Sequence, residues 1–245
     1  MINGILRAFI ASVFAFAMLI LFAANVTFAQ DDRVTIDKSK IPATAEKLAG
    51  FVPVGWKIEE QINGDVNGDG VSDTLLKLVE DKPKEDKEGI KIDRARALVI
   101  VLKAADGKLN SAAIADKLLQ CTGCGGAFYG VVDAPADIKI QKGVIIVEQD
   151  HGSRDVSGVT FRFRFEAATG KFLLIGFDYH SVDRLSASTS SESTNYVTGA
   201  RITEQISGNG KRPRKTKTQV PKTKTYIDQV DYEKFEEEAS ARVDG

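Results

Sequence analysis

Apolar and polar residues alternate with period two along much of the chain. The clearest case is "TFRFRFEA", where Phe161, Phe163 and Phe165 fall on one side and Arg162 and Arg164 on the other. Such alternation marks a strand with one dry and one wet face, as in an antiparallel sheet. The segments "WKIEEQI", "DTLLKLVE", "RALVIVLKA", "ADIKIQ", "GVIIVEQ", "KFLLIGFDYH" and "YVTGARITEQ" give further strands. Short glycine-containing turns, "ADGK" at 105–108, "QKG" at 141–143 and "ATGK" at 168–171, join neighbours as hairpins. The predicted fold class is mainly β: an antiparallel β-meander forming a sandwich or a partly rolled sheet. Helical patterning is confined to a short stretch near the start, within "IPATAEKLAGF", and to the C-terminal end, where Asp231 stands ready to cap a short helix from Tyr232.

Between the strands lie two longer polar stretches, "EDKPKEDKEGIKID" (80–93) and "SVDRLSASTSSESTN" (181–195), which read as solvated loops. Past residue 207 the composition changes. "GNGKRPRKTKTQVPKTK" (208–224) holds seven basic residues, two prolines and no acid, and prolines oppose both a helix and a central strand. This predicts a flexible basic linker over 208–225. A C-terminal segment, 226–245, then docks on the β domain through Tyr226, Ile227, Val230, Tyr232 and Phe235.

The N-terminal run "AFIASVFAFAMLILFAANVTFA" is apolar, follows a single arginine, and ends with Thr27 and Ala29 as small residues at alternate positions. It predicts a signal peptide over 1–29 with Gln30 as the mature start, and a calcium-loop β domain over 30–207. After cleavage the chain would not span a membrane. Export implies a periplasmic or secreted protein, and in an oxidising compartment the only two cysteines, Cys121 and Cys124, are expected to pair. With 33 basic and 34 acidic residues the chain is nearly neutral, which argues against a nucleic-acid partner. The basic run 208–224 could attract an anionic envelope surface or glycopolymer, but its alternation with threonine and its lack of aromatics favour a solvated linker, and without stacking side chains it does not read nucleic acid.

Candidate chemistry is densest in "GDVNGDGVSD" (64–73). Counted from Asp65, side-chain oxygens fall at positions one, three, five and nine, on Asp65, Asn67, Asp69 and Asp73. The backbone carbonyl of Val71 takes position seven, and Gly70 permits the turn between. Hard oxygen donors in this number suit Ca²⁺. Position twelve is Leu76 and a strand follows, so the loop is not a full EF-hand. "DVNGDGVSDTLLKL" resembles the D-x-[DN]-x-D-G-x-x-D calcium loop that precedes a strand in FG-GAP and VCBS-type repeats. "FVPVGWKIEEQINGDVNGDGVSD" with "GKFLLIGFDYHS" is similar to exported bacterial proteins of unassigned function that carry one such loop. The resemblance implies a metal role for Asp65, Asn67, Asp69 and Asp73 and no activity. A propeller needs at least four blades of four strands, about twice the number seen here.

Three other features are weaker. "CTGCGG" has C-x-x-C spacing, but "GGAFYGV" after it is a poor helix for a redox site and no further zinc ligands are near, so a local disulfide is expected. His180 stands beside Asp178 and Ser181, yet on a strand Ser181 points away from the other two, so these three form no triad. His151 lies among loop-like polar residues in "EQDHGSRD". The sequence therefore suggests a calcium-binding β domain with a binding or structural role and an unknown protein or glycan partner in the cell envelope. The alternative is an exported hydrolase or enzyme inhibitor using a cleft near His151 or His180.

Overall fold

The computed structural model describes residues 33–208, 212–222 and 224–244. The expected signal peptide, with its cleavage point at Ala29, lies outside the described residues. From Val34 onward the chain builds two antiparallel sheets that do not close into a barrel. The first contains β1 (Thr44–Ala45), β2 (Trp56–Gly64), β3 (Asp73–Glu80), β4 (Arg96–Lys103) and β5 (Leu109–Ala115), in the order β1-β5-β4-β3-β2. The second contains β6 (Asp137–Gln141), β7 (Val144–Gly152), β8 (Asp155–Glu166), β9 (Lys171–Asp183), β10 (Ser188–Asn195), β11 (Ala200–Ile206) and β12 (Arg214–Gln219), each paired with its sequence neighbours. It is a plain meander, as the hairpin spacing predicts.

One core lies between the sheets. Leu75, Leu98 and Ile100 of the first sheet meet Ile145, Val147, Phe161, Phe163, Phe172 and Phe177 of the second, all essentially without exposure. The period-two pattern of β8 explains this: its phenylalanines enter the core and its arginines stay outside. The central strands of the first sheet, β3 and β4, are buried on both faces. Leu76, Leu78, Val99 and Val101 point to the opposite side, where the N-terminal segment covers them with Ile36, Ile41 and Phe51. A strand buried on both faces reads as a continuous apolar run, which is why "TLLKLV" and "ALVIVL" lack alternation.

Part of the remaining inner surface of the second sheet is covered from the C-terminus. Ile227 and Val230 are buried, and the helix Tyr232–Asp244 lies over β8 to β11. Its Phe235 ring stands edge-on to Phe161 and Phe177, 5.5 Å from each. The N-terminal helical pattern becomes a four-residue 3₁₀ turn, Leu48–Phe51. A second, one-turn helix, Gly126–Tyr129, follows the cysteines.

Two segments differ from expectation. The stretch 181–195 is mostly strand: β9 runs on to Asp183 and β10 fills Ser188–Asn195 between β9 and β11. The basic segment 208–225, expected as a flexible linker, contributes β12, which pairs with β11 from Ala200↔Gln219 to Gln205↔Arg214. Pro213 and Pro221 sit just outside β12, and the strand is at the sheet edge with every residue exposed. Proline therefore brackets the strand here without interrupting its ladder. Residues 209–211 and 223 lie outside the described residues.

Candidate functional site

The acidic loop joins β2 to β3. Gly68 and Gly70 have φ of 81° and 83°, a region that side chains disfavour, and these two residues let the chain fold back on its own carboxylates. Asp65 accepts from the Gly68 and Gly70 N–H groups at 2.7 and 2.9 Å. Those bonds, Gly70's first, hold its carboxyl below the usual range. Asn67 accepts from Asp69 N–H at 3.0 Å, and its amide donates to Asp69 at 2.9 Å; Asp69 in turn accepts from Val71 N–H at 2.7 Å. Asp73 is buried at the start of β3. One of its oxygens takes Val66 N–H at 3.1 Å and the other takes Lys103 N–H at 3.0 Å, tying the loop to the end of β4. Burial raises the Asp73 carboxyl above its usual range; the two N–H donors work against this, and the charges of Asp69 and Asp65 add to it.

Could these residues hold a metal? A carboxylate oxygen has two acceptor positions, so each oxygen of Asp65 and Asp73 keeps one beyond its backbone bond. The donor types suit Ca²⁺. However, among the described residues no three His, Cys, Asp or Glu side chains are gathered as a metal site. The structure thus sets Asp65, Asn67, Asp69 and Asp73 along one turn, with Val71 between the last two.

Cys121 and Cys124 form a disulfide. The loop it closes is bound on both sides: Thr122 N–H donates to the Arg94 carbonyl, Ala134 N–H to the Thr122 carbonyl, and Gly152 N–H to the Gly125 carbonyl. Arg94, Arg96 and Lys77, all nearly buried, hold the segment that leads into β6 by reaching Asp133, the Ala134 carbonyl and the Ala136 carbonyl.

The two histidines lie on opposite faces of the second sheet. His151 is within β7, opposite Ser157 and, beyond it, Ser181, whereas His180 lines up with Gly158 and Asp150. His180 is exposed, 3.5 Å from Asp150, and Asp178 is paired with Arg162. His151 borders an open cleft of about 410 Å³ with Cys124, Tyr232 and the helix acids Glu233, Glu236 and Glu237. Its Nε2 meets both Glu236 oxygens at 2.7 and 2.8 Å, and Ser157 donates to Glu236 at 2.7 Å. Serine, histidine and acid are together, but in the wrong order for acyl transfer. In a triad the acid holds one ring nitrogen and the serine faces the other. Here both converge on Nε2, and the serine proton points at the carboxylate.

This arrangement clamps the helix to the sheet. The hydrogen bond to Glu236 raises the His151 pKa against its burial. Burial opposes the charge on Glu236, but the bonds from His151 and Ser157 prevail and hold its carboxyl below the usual range. The raised histidine contributes stability that is complete below its ordinary value of 6.5 and lost as pH rises through the folded value. The lowered glutamate contributes stability that is complete above 4.5 and lost as pH falls through its folded value. Denaturant unfolding should therefore show a plateau between these two values and a step down to lower stability at pH 9. In His151→Gln that step should vanish. An unchanged step would assign the pH dependence elsewhere.

Glu236 and Ser157 lie 85 and 6 residues from His151, and nothing in the sequence links Glu236 to the histidine except the expectation that the tail docks. No helix among the described residues is long and apolar enough to cross a membrane. In comparisons with known proteins, no family model, no curated protein and no solved structure matches the chain.

Proposed function

We propose that the chain is an exported, calcium-binding β domain with a binding or structural role, as its resemblance to single-loop FG-GAP or VCBS-like proteins suggests. The observation that carries this reading is the acidic loop, where a buried Asp73 stands under the like charge of Asp69 and Asp65. A cation placed among them would relieve that repulsion. Ca²⁺ would take oxygens from Asp65, Asn67, Asp69 and Asp73 and the Val71 carbonyl, drawing the aligned side chains together. Affinity should fall as pH is lowered, because Asp73 keeps its proton to higher pH than an exposed aspartate. The disulfide supports export, since such bonds persist in oxidising compartments. The use of His151 as a clamp favours a non-catalytic role over the hydrolase or inhibitor alternative.

Thermal melts in EDTA and in millimolar Ca²⁺ test the metal assignment. With a dissociation constant of about 10⁻⁴ to 10⁻³ M, typical of extracellular modules, Ca²⁺ should add about 1 kcal/mol by linkage. Asp69→Ala should abolish the response while melting in EDTA close to the parent. Identical midpoints with and without Ca²⁺, or an undiminished response in the variant, would remove calcium from the reading.

A further inference from the structure

The second sheet is wider than the structures that cover it. On β6 to β9 most inner positions are apolar and packed, with Gln149, His151 and Ser157 among the exceptions near the strand ends. On the last three strands the register lines up Glu192, Thr203 and Thr216 across the inner face, and beside them Thr194, Arg201 and Thr218. None of these is apolar. The C-terminal helix ends over β10 and β11, leaving a groove of about 290 Å³ between its last turn, β11 and β12.

Three guanidinium groups line that groove: Arg201, Arg214 and Arg242. Two of them are fixed from below by Glu192, which is 1% exposed. Arg242 donates to its two oxygens at 2.6 and 3.1 Å, Arg201 lies 3.2 Å away, and Thr194 donates at 2.9 Å. Gln205 fastens the end of the helix by donating its amide to the Val243 carbonyl. One buried carboxylate thus faces two arginines, and among the described side chains Glu238, 3.6 Å from Arg242, is the second acid at the rim. Arg214, exposed on the edge strand, has no carboxylate partner among the described residues. Neutralising Glu192 would account for Arg201 and Arg242 on structural grounds alone. It accounts for neither Arg214 nor the hydroxyls of Thr203, Thr216 and Thr218 on the floor.

We propose that this groove binds an oxyanion group, carboxylate or phosphate, carried on a hydroxyl-rich carbohydrate chain. Guanidinium groups bind such oxyanions with two parallel hydrogen bonds, and Glu192 holds two of the three arginines in place before a ligand arrives. The threonine hydroxyls donate to or accept from neighbouring sugar hydroxyls. No aromatic ring lines the groove among the described residues, so stacking against an uncharged sugar ring has no platform and the anion carries recognition. The inference rests on the binding role proposed above, but not on calcium.

Titration calorimetry at low salt tests it with four probes: an oligogalacturonate, a phosphorylated oligosaccharide, inorganic phosphate, and an uncharged oligosaccharide of the same length. Both charged oligosaccharides should bind, at least about tenfold more tightly than the uncharged one, and should weaken as NaCl screens the arginines. The tighter of the two identifies whether carboxylate or phosphate is the native group. Arg214→Ala should weaken binding about tenfold without moving the melting temperature, because its side chain is exposed. Thr216→Val, which keeps the shape and removes the hydroxyl, should weaken the oligosaccharides but leave phosphate unchanged. No binding at millimolar concentration, equal binding of the uncharged chain, or phosphate binding indifferent to Arg214→Ala would overturn the proposal. Repeating the titrations in EDTA and in Ca²⁺ separates the two readings. A calcium response without groove binding removes this inference alone, and groove binding without a calcium response removes only the metal.

Discussion

A chain ending at Gln219 is expected to lose its cooperative melt. The removed tail supplies Ile227, Val230, Tyr232, Ala239 and Val243 to the central core, each 6% exposed or less, together with the Phe235 ring against Phe161 and Phe177. Burial of each large apolar side chain contributes about 1.5–3 kcal/mol, so a few together rival the 5–15 kcal/mol that separates folded from unfolded domains. Deletion also exposes the phenylalanine face of β8 and β9, a contiguous apolar surface prone to self-association. The gentler variant Phe235→Ala should cost about 3 kcal/mol, near the lower end for a phenylalanine because the ring is only partly buried. That corresponds to a fall in Tm of about 6–12 °C for a domain of this size. Calorimetry of both variants checks this. If the truncated chain melts at the parent temperature, the tail is an accessory arm and the core closes without it.

The same tail shows where sequence reading succeeds. Its apolar residues recur in a segment too short to fold alone, so docking is the one way to bury them, and the helix starts at Tyr232 where the pattern places it. The β8 and β9 strands were equally legible, β8 because its phenylalanines alternate with arginines and β9 because an apolar run follows a glycine turn. β10 and β12 were not. "STSSESTN" and "RKTKTQ" do alternate in space, but both of their faces are polar, so a search for apolar periodicity finds nothing. Ladder hydrogen bonds to β9 and β11 impose the strands instead. The polar inner face that hides β10 and β12 from pattern reading is also what forms the arginine groove.

The site was legible only where its parts are adjacent in sequence. The Cys121–Cys124 pair is separated by three positions, so chain geometry alone brings the two sulfurs together, and the same local geometry sets Asp65, Asn67, Asp69 and Asp73 along one turn. The His151–Glu236 clamp and the Arg201–Glu192–Arg242 cluster join segments up to 85 residues apart, and only the tail's path over the sheet brings them into contact. His151 gave a partial signal as a histidine near acids. Its polar neighbours in "EQDHGSRD" read as loop, yet β7 continues through Gly152.

Asp73→Ala should destabilise the protein by about 2–4 kcal/mol even in EDTA, which makes Asp73 different in kind from the other loop acids. Its two oxygens accept from Val66 N–H and Lys103 N–H, at 3.1 and 3.0 Å. Removing them leaves two backbone donors short of a partner, at about 1–3 kcal/mol for each that water cannot reach. Val66 is buried in the central core, so its donor bears the full cost, while Lys103 at the strand end is more open to solvent and bears less. Asp65 and Asp69 bond only within the exposed turn, where water can replace a lost acceptor. Asp73→Asn is the sharper probe. It keeps the volume but turns one acceptor into a donor facing an N–H, so it should cost nearly as much as alanine. Urea unfolding in EDTA compares the three. Equal, small losses for Asp69→Ala and Asp73→Asn would mean that Asp73 serves the loop only as a cation ligand. A large loss confined to Asp73 would show that it anchors the β2–β3 turn to β4 whether or not an ion is bound.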